Sequence, residues 1–420
     1  MAQARRAAAR VTYMKAGSGS NQSAAVMAEY TEGFSYTDPA SEESDTVSIT
    51  LSNIDLRWAG SWLPQTGDKI TAEIVLEDWE EAGQSVAFPC GKFCLDDLSF
   101  RGPEYTCTIG GVSVPEGNSI RSTKRSKTWQ EVTLKEIGAE IAGKYHLLFD
   151  YTGNTIKLGT VEQNQESDSS FLSRICKDYG MAFKIYSGKV IIYDKGEFEK
   201  RAEITTITAG DMQDWSYNTT LTGTYTGAEI RYTSGSDDEE LTCVVGGGNR
   251  ILNINEKVES LQEAQIMACA RVNAENEKAE TMNCTIMADT RIVAGSTVGV
   301  KGLNRIDGKY FVDKATHSIG ADGAYTMSLE MHKCQKRITG SVASQGTAGN
   351  GVSGLAVGDK VIVNGPAYWG GNGGRANQCS NMVMYITEIL GSGYEYQYGV
   401  SRRQGGTRYG WCAVESLSKG

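Results

Sequence analysis

Histidine and proline are scarce in this sequence, with three and six among 420 residues. Three histidines (His146, His317 and His332) leave little material for imidazole catalysis or metal binding. His332 and Cys334 form an H-x-C pair, short of the four ligands that a structural zinc site takes. No metal site and no cofactor are expected. Basic charge is also in deficit: 41 Lys and Arg against 51 Asp and Glu give a net charge of −10. A nucleic-acid binder carries a basic face, so nucleic-acid recognition is not expected. No apolar run approaches the 18 residues of a transmembrane helix, so no membrane span is expected. The opening MAQARRAAARVTYMKAG has arginines but lacks the apolar stretch of a secretory signal, and export by the general pathway is not expected. None of the ten cysteines lies in a C-x-x-C pair, and most sit among apolar residues, as reduced thiols used for packing do.

What is abundant is glycine (49) together with short runs of Thr, Val, Ile and Tyr, which favours many strands joined by tight turns. TVSITLSN (46–53) and GDKITAEIVLED (67–78) alternate apolar and polar residues with the period of half-buried strands. GKFCLDDLSF and EYTCTIGGVSV follow, separated by a turn at RGP. Near residue 128 the pattern changes. TLKEIGAEIAG carries a capping box, Thr133 with Glu136, an apolar face of Leu134, Ile137 and Ile141, and Gly143 as the expected C-terminal cap. A second helix is predicted over about 168–179, capped by Asp168, followed by a hairpin of MAFKIY and KVIIYD. Strands resume after about 204, interrupted by a long helix predicted over 256–279 with Val258, Leu261, Gln265, Ala268 and Val272 on one face. SDDEE (236–240) reads as a solvated loop. VGGGNR (245–250) reads as a turn, since it lacks the Lys-Ser/Thr of a phosphate loop. ITGSVASQGTAGNGVSG (338–354) has the composition of a flexible linker, and about 355–417 reads as a small separate β-barrel.

The sequence also repeats itself. Gly91-Lys92-Phe93-Cys94-Leu95-Asp96 parallels Gly308-Lys309-Tyr310-Phe311-Val312-Asp313. YTCTI (105–109) parallels YTMSL (325–329), and GDKI (67–70) parallels GSTV (295–298), in the same order. A duplicated β domain is expected, and three such chains would present six similar units.

On these residues the chain resembles the phage late control gene D family, the baseplate hub proteins of contractile tails and related injection systems. The resemblance is carried by RRAAARVTY at the start, WLPQTGDKI (62–70), PCGKFCLDDLSFRGPEYTCTIGGVSVP (89–115), ESDSSFLSRICKDYGMAFKIYSGKVIIYD (166–194) and VAGSTVGVKGLNRIDGKYFVDKATHSIG (293–320). It implies a mainly β fold with an α+β insertion. The domains would be a first tube-like β-barrel domain (1–115), an α+β middle domain (116–200), a second tube-like β-barrel domain with a long helix (201–337), the linker (338–354) and a small barrel (355–420). It implies a homotrimer that adapts a sixfold tail tube to a threefold spike. The implied partners are the tail tube protein and spike protein, extending to the tape measure protein and baseplate wedge. The implied location is the bacterial host cytoplasm during assembly, then the baseplate of the virion or tail-like particle.

The opening GDKVIVNGPAY and closing YGWCAVESL of the last segment resemble a bacterial Src-homology-3-like barrel. Trp411 is expected in its core. Tyr368, Trp369, Tyr394, Tyr396 and Tyr398, with Arg402 and Arg403, are the candidate glycan- or peptide-binding residues, which makes the bacterial cell wall a further candidate partner. Arg408 is a third cation that would meet anionic wall polymer or solvent. No histidine follows His332 to activate Cys379 or Cys412, and Asp359, Glu388, Glu395 and Glu415 have no distinctive spacing, so no catalysis is expected there. Two rival functions remain at this point, a cell-surface binder acting through the last barrel and a cell-wall hydrolase.

Overall fold

The computed structural model describes the chain except for residues 1–4, 17–21, 66, 80, 114–118, 234–239, 259, 340–342, 346–354, 356, 371–372, 391–395, 405, 414–415 and 420. Most of the expected linker and all of SDDEE but Glu240 lie outside the described residues. The chain divides into two compact units, 1–342 and 343–420. It is mainly β, as expected.

The first unit opens with β1 (Arg6–Met14), α1 (Ala24–Tyr30), β2 (Thr31–Pro39), β3 (Thr46–Ser52), β4 (Lys69–Glu77), β5 (Ser85–Arg101) and β6 (Thr106–Val112). The alternation read in the sequence is the alternation of burial: Val47, Ile49 and Leu51 face the core, and Ser48 and Thr50 face away. Six further strands repeat the set later: β12 (Thr206–Thr208), β13 (Met212–Thr219), β17 (Glu280–Met287), β18 (Thr297–Lys301), β19 (Gly308–Ile319) and β20 (Tyr325–Lys333). The first set pairs in the order β1-β4-β5-β6-β3-β2 and the second in the order β12-β18-β19-β20-β17-β13. Position by position along the chain these are the same order. One difference stands out: β1 runs antiparallel to β4, whereas the three-residue β12 runs parallel to β18. The two sets join through β2 and β19 into one hydrogen-bonded sheet with a shared core, which holds Ile49, Ile70, Phe93 and Ile109 from one set and Cys284, Val298, Tyr310 and Leu329 from the other.

Between the sets lies the α+β segment: α2 (Ser119–Ser122), β7 (Lys124–Thr133), α3 (Leu134–Lys144), β8 (Leu148–Thr152), β9 (Lys157–Ser167), α4 (Asp168–Asp178), β10 (Met181–Tyr186), β11 (Lys189–Asp194) and α5 (Lys195–Glu199). The capping box of α3 forms as read, Thr133 accepting from the Glu136 N–H and the Glu136 carboxylate from the Thr133 N–H. Gly143 is inside the helix, and Tyr145 caps it. Asp168 does not cap α4. Ser167 does, and Asp168 is buried in the first turn against Lys144, Tyr145 and Gln163.

The link from β13 to β17 carries β14 (Gly227–Thr233), β15 (Glu240–Gly246), β16 (Ile251–Val258) and α6 (Leu261–Glu277). The helix expected from residue 256 therefore begins five residues later. Ile251–Val258 is held as a parallel strand against β14, and Ser260 caps the helix. Val258 is a buried strand residue, although its spacing to Leu261 mimics a helical face. This insertion was expected within the second tube-like domain. Its Ile230, Val245, Ala264, Met267, Ala268 and Val272 share one core with Phe171 and Ile175 of the α+β segment.

The second unit contains β21 (Ala343–Gln345), β22 (Lys360–Gly370), β23 (Gly373–Ile389), β24 (Tyr398–Ser401), β25 (Gly410–Cys412) and β26 (Leu417–Lys419). Pairing runs from β22 through β23, β24 and β25 back to β22, which closes a small barrel around Val361, Val363, Met384, Ile386 and Val400.

Candidate functional site: a strand junction repeated along the chain

The two strand sets agree at the level of single residues. In one, Ile70 lies opposite Phe93, and in the other Val298 lies opposite Tyr310. Leu98 faces Ile109 as Ala315 faces Leu329. Each long strand has a bulge that skips one residue, and that residue is the matched aspartate, Asp96 or Asp313. Gly67 and Gly295 enter the equivalent strands with φ of +96° and +84°, a region that side chains resist. Their N–H groups donate to the matched carbonyls of Leu95 and Val312. Register also extends the match beyond the sequence reading. Phe34 faces Ile49, and Trp215 faces Cys284, which makes Phe34-Ser35-Tyr36-Thr37 the counterpart of Trp215-Ser216-Tyr217-Asn218. Glu32 and Gln213 are skipped at the same point of their ladders.

The junction between the sets is an antiparallel ladder in which Lys314 faces Pro39, Thr316 faces Thr37, His317 faces Tyr36 and Ile319 faces Phe34. It is aromatic inside. Tyr36 stacks on His317 at 5.7 Å, Phe88 lies 5.1 Å from the same ring, and the Tyr325 hydroxyl is 2.7 Å from His317 Nδ1. Burial pushes His317 down to about 4, so the ring is neutral near pH 7. The α+β segment clamps this junction. Lys184 pairs with Asp38 and, at 2.8 Å, with Asp45. The Tyr193 hydroxyl donates to the Ala40 carbonyl, and the Glu42 N–H donates to Phe183. Burial drives the Asp45 carboxyl up to about 6 against the pull of Lys184.

The same surfaces recur uncovered at the far ends of the two sets. Residues 97–101 of β5 pair with β6 on one side only, and β13 pairs with β17 on one side only, among the described residues. Phe34, Tyr36 and Tyr325 are 3% exposed at the internal junction. Trp215 and Tyr105, the counterparts of Phe34 and Tyr325, are 42% and 52% exposed, Phe100, the counterpart of the fully buried His317, is 45% exposed, and Tyr217, the counterpart of Tyr36, is half-buried.

A second cluster joins Glu199, Glu277 and His332, whose ligating atoms lie within 4.8 Å of one another. Arg337 occupies it, bonding Glu199 and lying 3.0 Å from Glu277, while Lys195 pairs with Glu277 at 2.7 Å and Asp313 at 3.3 Å. The carboxylates are already neutralised, so the cluster is an internal ion-pair network that ties α5, α6 and the segment after β20 together. Burial opposes charge on His332. The Asp313 hydrogen bond at 2.7 Å and the contact to Glu199 outweigh it and hold the ring at about 9.

In the small barrel, Tyr368 stacks on Tyr396 with centroids 3.9 Å apart, and neighbouring Trp369 is 65% exposed. These three of the sequence-selected residues come together or adjoin. Tyr398 packs against the barrel core, Arg402 lies over Tyr409, and Arg403 is an exposed turn residue. Tyr394 lies outside the described residues. Trp411 is in the buried wall as expected, with Arg408 over its ring and paired to Glu388.

This arrangement of repeated strands is the fold of phage tail proteins. The tail protein from Neisseria meningitidis MC58 superposes with a TM-score of 0.55 at 12% identity, covering 79% of this chain and 97% of that one. The 43 kDa tail protein of prophage MuSo2 from Shewanella oneidensis gives 0.57 at 13% identity, covering 78% and 98%. Sequence relatives are more specific. A probable baseplate hub protein of Escherichia phage P2 is 28% identical over 203 residues, 47% of this chain and 50% of the relative. That of Escherichia phage 186 is 25% identical over 202 residues, 47% and 49%. The chain thus spans about half the length of these two relatives, both named probable baseplate hub proteins. Residues 180–332 also match the YQBQ-like family model.

Proposed function

We propose that this chain is the structural hub of the baseplate of a contractile phage tail or tail-like injection particle. Three copies form a ring that adapts a sixfold tail tube to a threefold spike. The carrying observation is the duplication: two strand sets share order, register, bulge and turn glycines, so three chains offer six near-equal positions. On this reading residues 1–115 and the strands of 201–337 are the two tube-like domains, and the α+β segment fixes their mutual geometry. The chain meets the tail tube protein on one side and the spike protein on the other, with the tape measure protein and baseplate wedge as further neighbours. Its work is scaffolding rather than catalysis, and it acts in the assembled particle after assembly in the host cytoplasm.

The small barrel is an accessory that binds a glycan, a cell-wall polymer or a partner peptide through Tyr368, Trp369 and Tyr396. Exposed aromatic faces beside polar tips suit such ligands. The test of the main reading is immunogold labelling of purified tail particles with antibodies to residues 1–342. Label confined to one end of the tail at the baseplate is the expected result. Label absent from particles, with the protein recovered on cell walls, would replace the hub reading by the surface-binder reading.

A further inference from the structure

The two uncovered edges of this chain are complementary in one particular register. The internal junction supplies the template. There β2 lies against the C-terminal half of β19, and the β19 residues correspond one for one to β5. The β2 residues correspond one for one to β13. Transferring the pairs places Ser99 opposite Asn218, Phe100 opposite Tyr217, Arg101 opposite Ser216 and Gly102 opposite Trp215.

We propose that β13 of one copy adds antiparallel to residues 97–101 of β5 in the next copy, in this register. The inference rests on the trimeric reading above and names the surface through which it is built. Three observations support it beyond the topology. Two pairs match their internal counterparts in chemistry, an aromatic pair for His317 and Tyr36 and a polar pair for Thr316 and Thr37, a glycine faces the bulky Trp215 where Ile319 faces Phe34, and Arg101 faces Ser216 where Ser318 faces Ser35. The exposed apolar rings Phe100, Tyr105 and Trp215 are those whose counterparts are buried internally. Both edges present open backbone groups, and such edges recruit a strand unless blocked. No lysine or proline lies on Met212–Thr219 or on residues 97–101, whose charges are Asp97, Arg101 and Asp214, and Pro103 follows the last paired position. Because the two edges are different surfaces of one chain, the association is head to tail, which closes into a three-copy ring when each junction turns the chain by a third of a circle.

The two kinds of junction differ in one respect. Inside the chain, Lys184, Tyr193 and Phe183 clamp the β2–β3 link. In the second set that link is replaced by the β14–α6 insertion, so the clamp has no counterpart between copies. The internal junction is permanent, and the one between copies forms and opens on its own contacts.

The experiment uses the full chain carrying Ser99→Cys and Asn218→Cys together, oxidised and run without reductant beside the parent chain. Directly opposite positions bring Cβ atoms near disulfide distance, and a two-residue displacement does not. A covalent trimer is expected, with dimers only when the two single variants are mixed, and at least tenfold less product from Ser99→Cys with Ser216→Cys. Light scattering on the same samples separates the possible failures. A three-copy mass without product from the matched pair overturns this register and leaves the trimer standing. A monomeric mass overturns both. Trp215→Lys is expected to lower the mass to one copy with the circular dichroism unchanged, and Trp215→Phe to restore three.

Discussion

His332 shows how a single residue can read as inert in sequence and matter in the fold. Alone it is one of three histidines beside a cysteine. In the structure it is buried among Asp313, Glu199, Glu277, Lys195 and Arg337, and charge on its ring completes their balance. A ring held at about 9 when folded, against an ordinary value near 6.5, binds its proton more tightly in the native state. Its contribution is fully present below about pH 6.5 and is lost as pH rises through about 9. Thermal unfolding of the parent chain should therefore show a midpoint that falls between pH 6.5 and 9, with a smaller fall in His332→Gln. The matched position in the first strand set is Val112, so that set has no histidine to build the same network.

At the scale of elements, the turn into the fourth matched strand pair, β4 and β18, tests whether the two copies respond alike. Gly67 and Gly295 share a positive φ, and alanine at either should cost roughly 1–2 kcal/mol from backbone strain. At Gly67 the added methyl meets open space, while at Gly295 it meets the Tyr193 hydroxyl at 3.2 Å, the group that bonds Ala40. Urea unfolding should thus find Gly295→Ala the more destabilising of the two, and equal losses would count against the clamp described for the internal junction. Elements of this kind were readable in advance to differing degrees. Alternating strands such as β3 and the capped helix α3 carry their own signals, because burial and capping act over a few residues. The start of α6 was not readable, since β14, an earlier strand of the same insertion, claims Ile251–Val258. The junction itself lay half in view. The glycine-lysine-aromatic repeat was visible, but the match of Phe34-Ser35-Tyr36 to Trp215-Ser216-Tyr217 was hidden because the spacing between copies changes at each loop. Register, which is a property of pairs, restored it. Among the candidate binding residues of the small barrel, composition selected aromatics as a class but did not separate Tyr398, which packs inward, from Trp369, which faces solvent.

For the molecule as a whole, two units with separate cores should unfold separately. Calorimetry of the full chain is expected to give two transitions, the smaller with an enthalpy of roughly 50 kcal/mol from the average of ~0.7 kcal/mol per residue. Ending the chain at Val342 should remove that transition, leaving the other midpoint and the number of copies unchanged. A shared single transition would instead mean that the small barrel is part of the scaffold.

The insertion between β13 and β17 has a consequence for any neighbour of a three-copy ring. The strand sets nearly coincide, but only one of the two carries β14–β16 and α6 in place of a six-residue link. A neighbour that touches the strands meets the same relief at every sixty degrees. One that touches the inserted lobes meets it at every hundred and twenty. In the proposed three-copy ring, the count a neighbour perceives would be set by which part of the chain it reaches, and symmetry would change without any subunit changing shape.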